Sequence, residues 1–290
     1  MLGAVLSVLL FGMLPAQSFS AVDQLALHSI TVAAPLPLSG SASELLSLPQ
    51  GISASGVLIE DLESGQRLVA RNAENKRSIG SLTKLMTALL ITENHSMDEV
   101  VTVPKDISKV EGSVAHLRPG DRYTVGNLLT ALLVDSANDA AATLAQYDGG
   151  SVDIFVAKMN ERAEELGLRD TLFATPDGMD RLNQWSTAQD VAWLAQFDLR
   201  HPEIRSRMSM PRATIQDIAG HQQTMQNTHE LLHDPGPVIA GKTGTTGEAG
   251  QCLLSIVQEG RREYIVVLLG SNSRYVDMRM VLRGLAALIA

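Results

Sequence analysis

Cysteine is almost missing from this sequence. Cys252 is the only one in 290 residues, so no disulfide can close within the chain and a metal site built from thiolates is not expected. A basic excess is missing too: 23 lysines and arginines stand against 32 acidic residues, a net charge of −9. No block of basic residues could track a phosphate backbone, so nucleic acid is not expected as a partner. No internal repeat is visible. Long apolar runs are confined to the start, MLGAVLSVLLFGMLPAQSFSA, which carries no charge before Asp23. Residues 1–20 read as a secretory signal with cleavage after Ser18 or Ser20 or, since no Lys or Arg precedes the apolar run, as a retained anchor. The protein is therefore expected to be exported, to the periplasm or the outer face of the cell envelope, and to touch a membrane only if that segment is kept.

What is present is a globular composition, 45% hydrophobic. Residues 21–50 are expected to form a linker, ending in the Pro- and Ser-rich TVAAPLPLSGSASELLSLPQ, and residues 51–290 a domain. ASGVLIEDLESGQRLVARN has two β-rich runs around a Glu-Ser-Gly turn and predicts a hairpin. Helical periods dominate from Leu82 to about Gln196, in SLTKLMTALLITE, VGNLLTALLVDS, NDAAATLAQY, SVDIFVAKMNERAEELG and TAQDVAWLAQF. Strand patterns return in AGQCLLSIVQ and REYIVVLLGS. The last segment, YVDMRMVLRGLAALIA, predicts a helix with Met278, Val281, Leu282, Leu285 and Ile289 on one stripe, packed against the sheet. Strands at both ends with helices between predict one mixed sheet and an inserted helical subdomain, an α+β arrangement with a site in the gap.

Three motifs compete. HELLH, with His229 and His233 around Glu230, matches a zinc-protease signature, but Asp234-Pro235-Gly236-Pro237 stops any helix at once; two histidines on a short surface turn are expected instead. GPVIAGKT, residues 236–243, matches the phosphate-loop pattern, yet three glycines follow where a helix should open. The third is distributed: SLTK at 81–84 opening a helix, SAN at 136–138 in a turn between helices, and KTG at 242–244 before a Gly/Thr-rich stretch. Each is unremarkable alone, and their order and context make the set specific. A serine hydroxyl needs an adjacent base, and a lysine serves as one near neutral pH only when burial or a nearby cation lowers its pKa. Lys84, one turn from Ser81 on an apolar helix and facing the cation of Lys242, is expected to meet both conditions.

These residues, with LRPGDRYTVGNLLTALLVDSANDAA, LFATPDGMDRLNQWSTAQDVAWLAQF and NTHELLHDPGPVIAGKTGTTGEAGQCL around them, resemble the serine DD-peptidases, the low-molecular-mass penicillin-binding proteins. The resemblance spans about residues 50–290 and implies the β-lactamase/DD-peptidase fold, an antiparallel sheet flanked by helices. It implies action on peptidoglycan stem peptides, with β-lactams as covalent inhibitors and no metal or organic cofactor. By resemblance Ser81 is the nucleophile, Lys84 takes its proton and Ser136 passes a proton to the departing amine. Asn138 holds the substrate amide; Lys242 and Thr243, with Arg274 as a further candidate, hold the terminal carboxylate; Ser81 and Thr245 offer backbone N–H groups to the oxyanion; and Gly244 lets substrate approach. Ala137 stands where the family often has glycine. The β-rich second domain of many family members has no counterpart here, so an open cleft that also admits cross-linked dimers is expected. The competing functions are a DD-endopeptidase, a β-lactamase using Glu161, Glu164 or Glu165, and a non-catalytic penicillin sensor.

Overall fold

The computed structural model describes residues 50–289. The expected signal segment, and the linker apart from Gln50, lie outside the described residues. The hairpin forms as β1 (Gly56–Asp61) and β2 (Arg67–Arg71), followed by a 3-10 turn at Gly80–Thr83 that runs straight into α1 (Lys84–Asn94). Then come β3 (Val100–Thr102), β4 (Arg122–Thr124), α2 (Val125–Val134), α3 (Asn138–Gly149), α4 (Val152–Glu165) and α5 (Ala188–Asp198). The chain continues through α6 (Pro202–Met208), β5 (Arg212–Gln216), β6 (Gln222–Gln226), β7 (Val238–Thr246), β8 (Gly250–Glu259), β9 (Arg262–Ser271) and α7 (Arg274–Ile289). Among the described residues no helix is long and apolar enough to cross a membrane.

The sheet joins the two ends of the domain in the order β2-β1-β9-β8-β7, and every pairing in it is antiparallel rather than mixed. Period-two alternation divides its side chains between two cores. Leu58, Leu254, Ile256 and Val267 face α1, α5 and the helical subdomain. Val57, Leu253, Val257 and Leu268 face α7, whose Met278, Val281 and Leu285 are buried against them. With helices on both faces the strands lose the usual apolar-polar alternation, which is why β1 is buried at all six positions.

Local chemistry starts several helices where the sequence suggests. Thr124, Ser151 and Thr187 side chains accept from the N–H groups of Asn127, Ile154 and Asp190 at 3.1, 3.2 and 3.0 Å, each cap contributing about 1 kcal/mol. The two-stranded pairs β3-β4 and β5-β6, and the short α6, have no counterpart in the sequence reading. In β5 and β6 only Ile215 and Met225 are buried, so RATIQ and QQTMQ carry no strong alternation to detect.

Candidate active site

The order β2-β1-β9-β8-β7 leaves β7 as an edge strand, and the Gly80–Thr83 turn packs directly against it. A Cβ on Gly244 would lie 2.4 Å from the Ile79 carbonyl oxygen and 3.1 Å from the Ser81 nitrogen. Only a glycine lets strand and serine turn come this close. In the same contact a Cβ on Gly80 would stand 3.0 Å from the Thr245 nitrogen, so the backbone around Ser81 and Thr245 is brought together.

At the first position of α1, one turn beyond Ser81, Lys84 is fully buried. Its Nζ lies 2.9 Å from Ser81 Oγ, 2.6 Å from Asn138 Oδ1 and 2.8 Å from the Asp177 carbonyl oxygen. Burial lowers its pKa to about 8, partly offset by the carboxylates of Asp177 and Asp139. A neutral amine has two N–H donors and one lone pair. Asn138 Oδ1 and the Asp177 carbonyl can only accept, so they take the two hydrogens, and the lone pair is left facing the Ser81 hydroxyl. In that state the 2.9 Å bond runs from Ser81 to Lys84, as a general base requires.

Between α2 and α3 the chain turns sharply at Ser136, a non-glycine residue with φ of 60°. This sparsely populated conformation costs of order 1 kcal/mol and persists because its surroundings hold it. Ser136 Oγ accepts from Lys242 Nζ at 2.7 Å, joining the helical subdomain to β7. The next turn is anchored by backbone: Asn138 N donates to Ser113 O and Asn138 Nδ2 to Glu111 O, both at 2.7 Å. Asp139 fixes the same loop by accepting from the N–H groups of Ala115 and Leu117 at 2.9 and 3.0 Å.

On β7, Lys242 is also fully buried and donates to its neighbour's carbonyl, Thr243 O, at 3.0 Å. Its pKa is driven well below the usual lysine range by burial, then by the positive charges of Lys84 and Arg274. Burial is the largest cause lowering both lysines, and the repulsion between the two ammonium groups is mutual, so a charged Lys242 opposes protonation of Lys84 as expected. Arg274, the first residue of α7, reaches back to β7 and β8. It donates to Gly244 O at 3.1 Å, Cys252 O at 2.9 Å and Gln251 Oε1 at 3.3 Å, and contacts Thr245 Oγ1. Thr243 is buried and Thr245 exposed.

The structure thus brings the sequence-derived residues into two hydrogen-bonded groups, Ser81–Lys84–Asn138 and Ser136–Lys242, with Gly244 against the serine turn and Arg274 in contact with Thr245. Asn138 has its amide oxygen on Lys84 and one amide N–H on Glu111. The competing motifs fall elsewhere. GPVIAGKT runs into β7 instead of opening a helix. The histidines of HELLH are not a surface pair: His229 is fully buried with Nε2 2.8 Å from Ser255 Oγ, and His233 Nε2 lies 2.8 Å from Asn227 O. Between them is only a three-residue 3-10 turn, which sets the first ring into the core beside β8. Glu161, Glu164 and Glu165 are exposed on α4, and Glu165 pairs with Arg162 at 2.8 Å. Three site contacts escaped the sequence reading: the carbonyls of Asp177 and Glu111, and Thr228, whose Oγ1 lies 2.6 Å from Thr243 Oγ1. Backbone carbonyls carry no residue-type signal.

This geometry has counterparts in known proteins. The D-alanyl-D-alanine carboxypeptidase DacD of Salmonella typhimurium is 36% identical over 249 residues, 81% of this chain and 63% of the relative, so the chain spans less than two thirds of that protein. A D-alanyl-D-alanine endopeptidase of Pseudomonas aeruginosa is 30% identical over 85% of this chain and 81% of its own length. The crystal structure of the Streptomyces K15 DD-transpeptidase superposes with a TM-score of 0.77 at 31% identity, covering 82% of this chain and 98% of that one. Residues 43–273, which hold the whole cluster except Arg274, match the D-alanyl-D-alanine carboxypeptidase family, and the chain belongs to that family.

Proposed function

We propose that this protein is a serine DD-peptidase of peptidoglycan stem peptides, acting at the outer side of the cell envelope as a D-Ala-D-Ala carboxypeptidase through an acyl-enzyme on Ser81. The observation that carries the reading is the buried Lys84 amine, lowered to about 8 and 2.9 Å from Ser81 Oγ, with its other two contacts on acceptors. Ser81 Oγ attacks the carbonyl carbon of the penultimate D-alanine while its proton passes to Lys84 Nζ. The oxyanion is met by the backbone N–H groups of Ser81 and Thr245. As the C–N bond breaks, the proton taken by Lys84 is passed on through Ser136, which is held by its bond from Lys242, to the departing D-alanine amine, leaving Lys84 neutral. Water then attacks the ester carbonyl and gives its proton to Lys84, which returns it to Ser81 Oγ as the acid leaves. Asn138 keeps a second amide hydrogen for the substrate's peptide group, and Lys242, Thr243 and Arg274 receive the terminal carboxylate. Penicillin, whose strained amide and carboxylate occupy the same positions, acylates the same serine.

The test is labelling with a fluorescent penicillin followed by peptide mapping, alongside release of D-alanine from a D-Ala-D-Ala peptide. Label on Ser81, lost in a folded Ser81→Ala variant, is expected; label retained in that variant, or mapped to another serine, refutes the assignment.

One observation favours a second reading, DD-endopeptidase activity on cross-linked peptidoglycan. A relative named as a D-alanyl-D-alanine endopeptidase, that of Pseudomonas aeruginosa, is 30% identical over 85% of this chain. Separate incubations with pentapeptide monomer and cross-linked dimer decide between them: brisk D-alanine release with an untouched dimer leaves a strict carboxypeptidase.

A further inference from the structure

We infer that Thr228 is a positioning residue of the carboxylate subsite, its hydroxyl directing the Thr243 O–H toward the ligand; this deepens the DD-peptidase reading and rests on it. The segment Asn227–Thr228–His229 follows β6 and bends at Thr228 beside β7, with Asn227 and His229 buried and Thr228 exposed between them. Both buried neighbours are anchored. Asn227 donates through Nδ2 to Met210 O at 3.0 Å and accepts at Oδ1 from His229 N at 2.9 Å. His229 bonds Ser255 on β8 through Nε2 at 2.8 Å. Its ring lies over Gly241, where a Cβ would come within 2.5 Å of Cδ2. Burial lowers the His229 pKa to about 3, so the anchor stays neutral across any working pH.

Thr228 itself is held at both backbone ends: its N–H donates to Val134 O at 3.1 Å, and its carbonyl accepts from Tyr275 Oη at 2.8 Å. Val134 ends α2, two residues before Ser136, so the strap bridges the same gap as the Lys242–Ser136 bond. What remains is the side chain, whose Oγ1 lies 2.6 Å from Thr243 Oγ1. A threonine hydroxyl has one hydrogen to give. Thr243 can donate it to a carboxylate only if it does not donate to Thr228, so in the liganded state the bond runs from Thr228 to Thr243. Each hydroxyl then polarises the next, and the chain Thr228–Thr243–carboxylate strengthens the last bond. A neutral carboxamide, which can itself donate a hydrogen bond, gains much less from this order.

The experiment compares wild type, Thr228→Val and Thr228→Ser on a D-Ala-D-Ala peptide as the free acid and as its C-terminal amide, with melting temperature as the folding control. Thr228→Val is expected to raise KM for the acid about three-fold, the lost strengthening of the Thr243–carboxylate bond, with kcat and the amide kinetics unchanged. Thr228→Ser should return KM to that of wild type. Where the amide is not turned over, the split between KM and kcat on the acid decides alone. Should Thr228→Val fail to fold, Thr228→Ala is read against Thr228→Ser in the same way. An unchanged KM, an equal shift for acid and amide, or no rescue by serine makes the Thr228–Thr243 bond a structural tie and overturns the inference. A wild type that is neither labelled by penicillin nor active on the peptide overturns the DD-peptidase reading and the subsite with it.

Discussion

Each bank of the cleft supplies one fully buried lysine, and the two are held differently. On the helical bank, Lys84 meets a hydroxyl and two acceptors that cannot donate, and its pKa settles near 8. On the strand bank, Lys242 has one hydroxyl and its neighbour's carbonyl, feels two other cations, and is held well below the usual lysine range by burial and by those charges. The contrast teaches that similar burial prepares different chemistry: Lys84, with its hydrogens on two acceptors, is poised to take a proton from Ser81, whereas Lys242, between two cations, is poised to meet an incoming anion.

The comparison is broken most directly by Lys84→Met, which keeps the buried volume and removes the base. Penicillin acylation is expected to fall by about 10²–10⁴-fold with the melting temperature little changed; a fall under about ten-fold would leave Lys84 without a proton-transfer role. Next is Gly244→Ala, whose Cβ would strike the Ile79 carbonyl. Separating β7 from the serine turn should cost about 1–3 kcal/mol of stability and about a hundred-fold in acylation, as expected for a misplaced reacting atom. Unfolding curves and labelling rates measure the two effects.

The pH profile sharpens the contrast. Because the neutral form of Lys84 is the active one, kcat/KM should rise with pH and level off above about 8. Lys242→Met should raise KM for an acid substrate by about ten-fold and, by removing a nearby positive charge, move that midpoint upward. A midpoint left in place would mean that the Lys242 charge does not reach Lys84. The smallest effect expected is linkage: binding a carboxylate ligand to Ser81→Ala protein near pH 8 should take up a fraction of a proton, as the anion raises the pKa of the nearby lysines, Lys84 titrating at about 8. Calorimetry in buffers of different ionisation enthalpy reads it, and uptake of no proton would mean that the anion's charge does not reach Lys84.

The sequence by itself determined whatever depends on near neighbours. Ser81 and Lys84 meet because residues three apart share a helix face, and the long helices follow from their apolar period. The β1-β2 hairpin follows from its turn, and the burial of Met278, Val281 and Leu285 from an amphipathic stripe. Only the tertiary structure decided what those residues meet at long range. Lys242 reaches a serine 106 positions away, and Lys84 finds Asn138 at 54 positions and the Asp177 carbonyl at 93. It also buried His229, which the prolines after HELLH had placed on a surface turn, and it set Thr228 against Thr243. The physical reason is that periodicity and turn chemistry are written in the side chains of a local window. An edge strand's partner across a cleft, or a backbone carbonyl that accepts a buried amine's hydrogen, is fixed by packing of the whole chain.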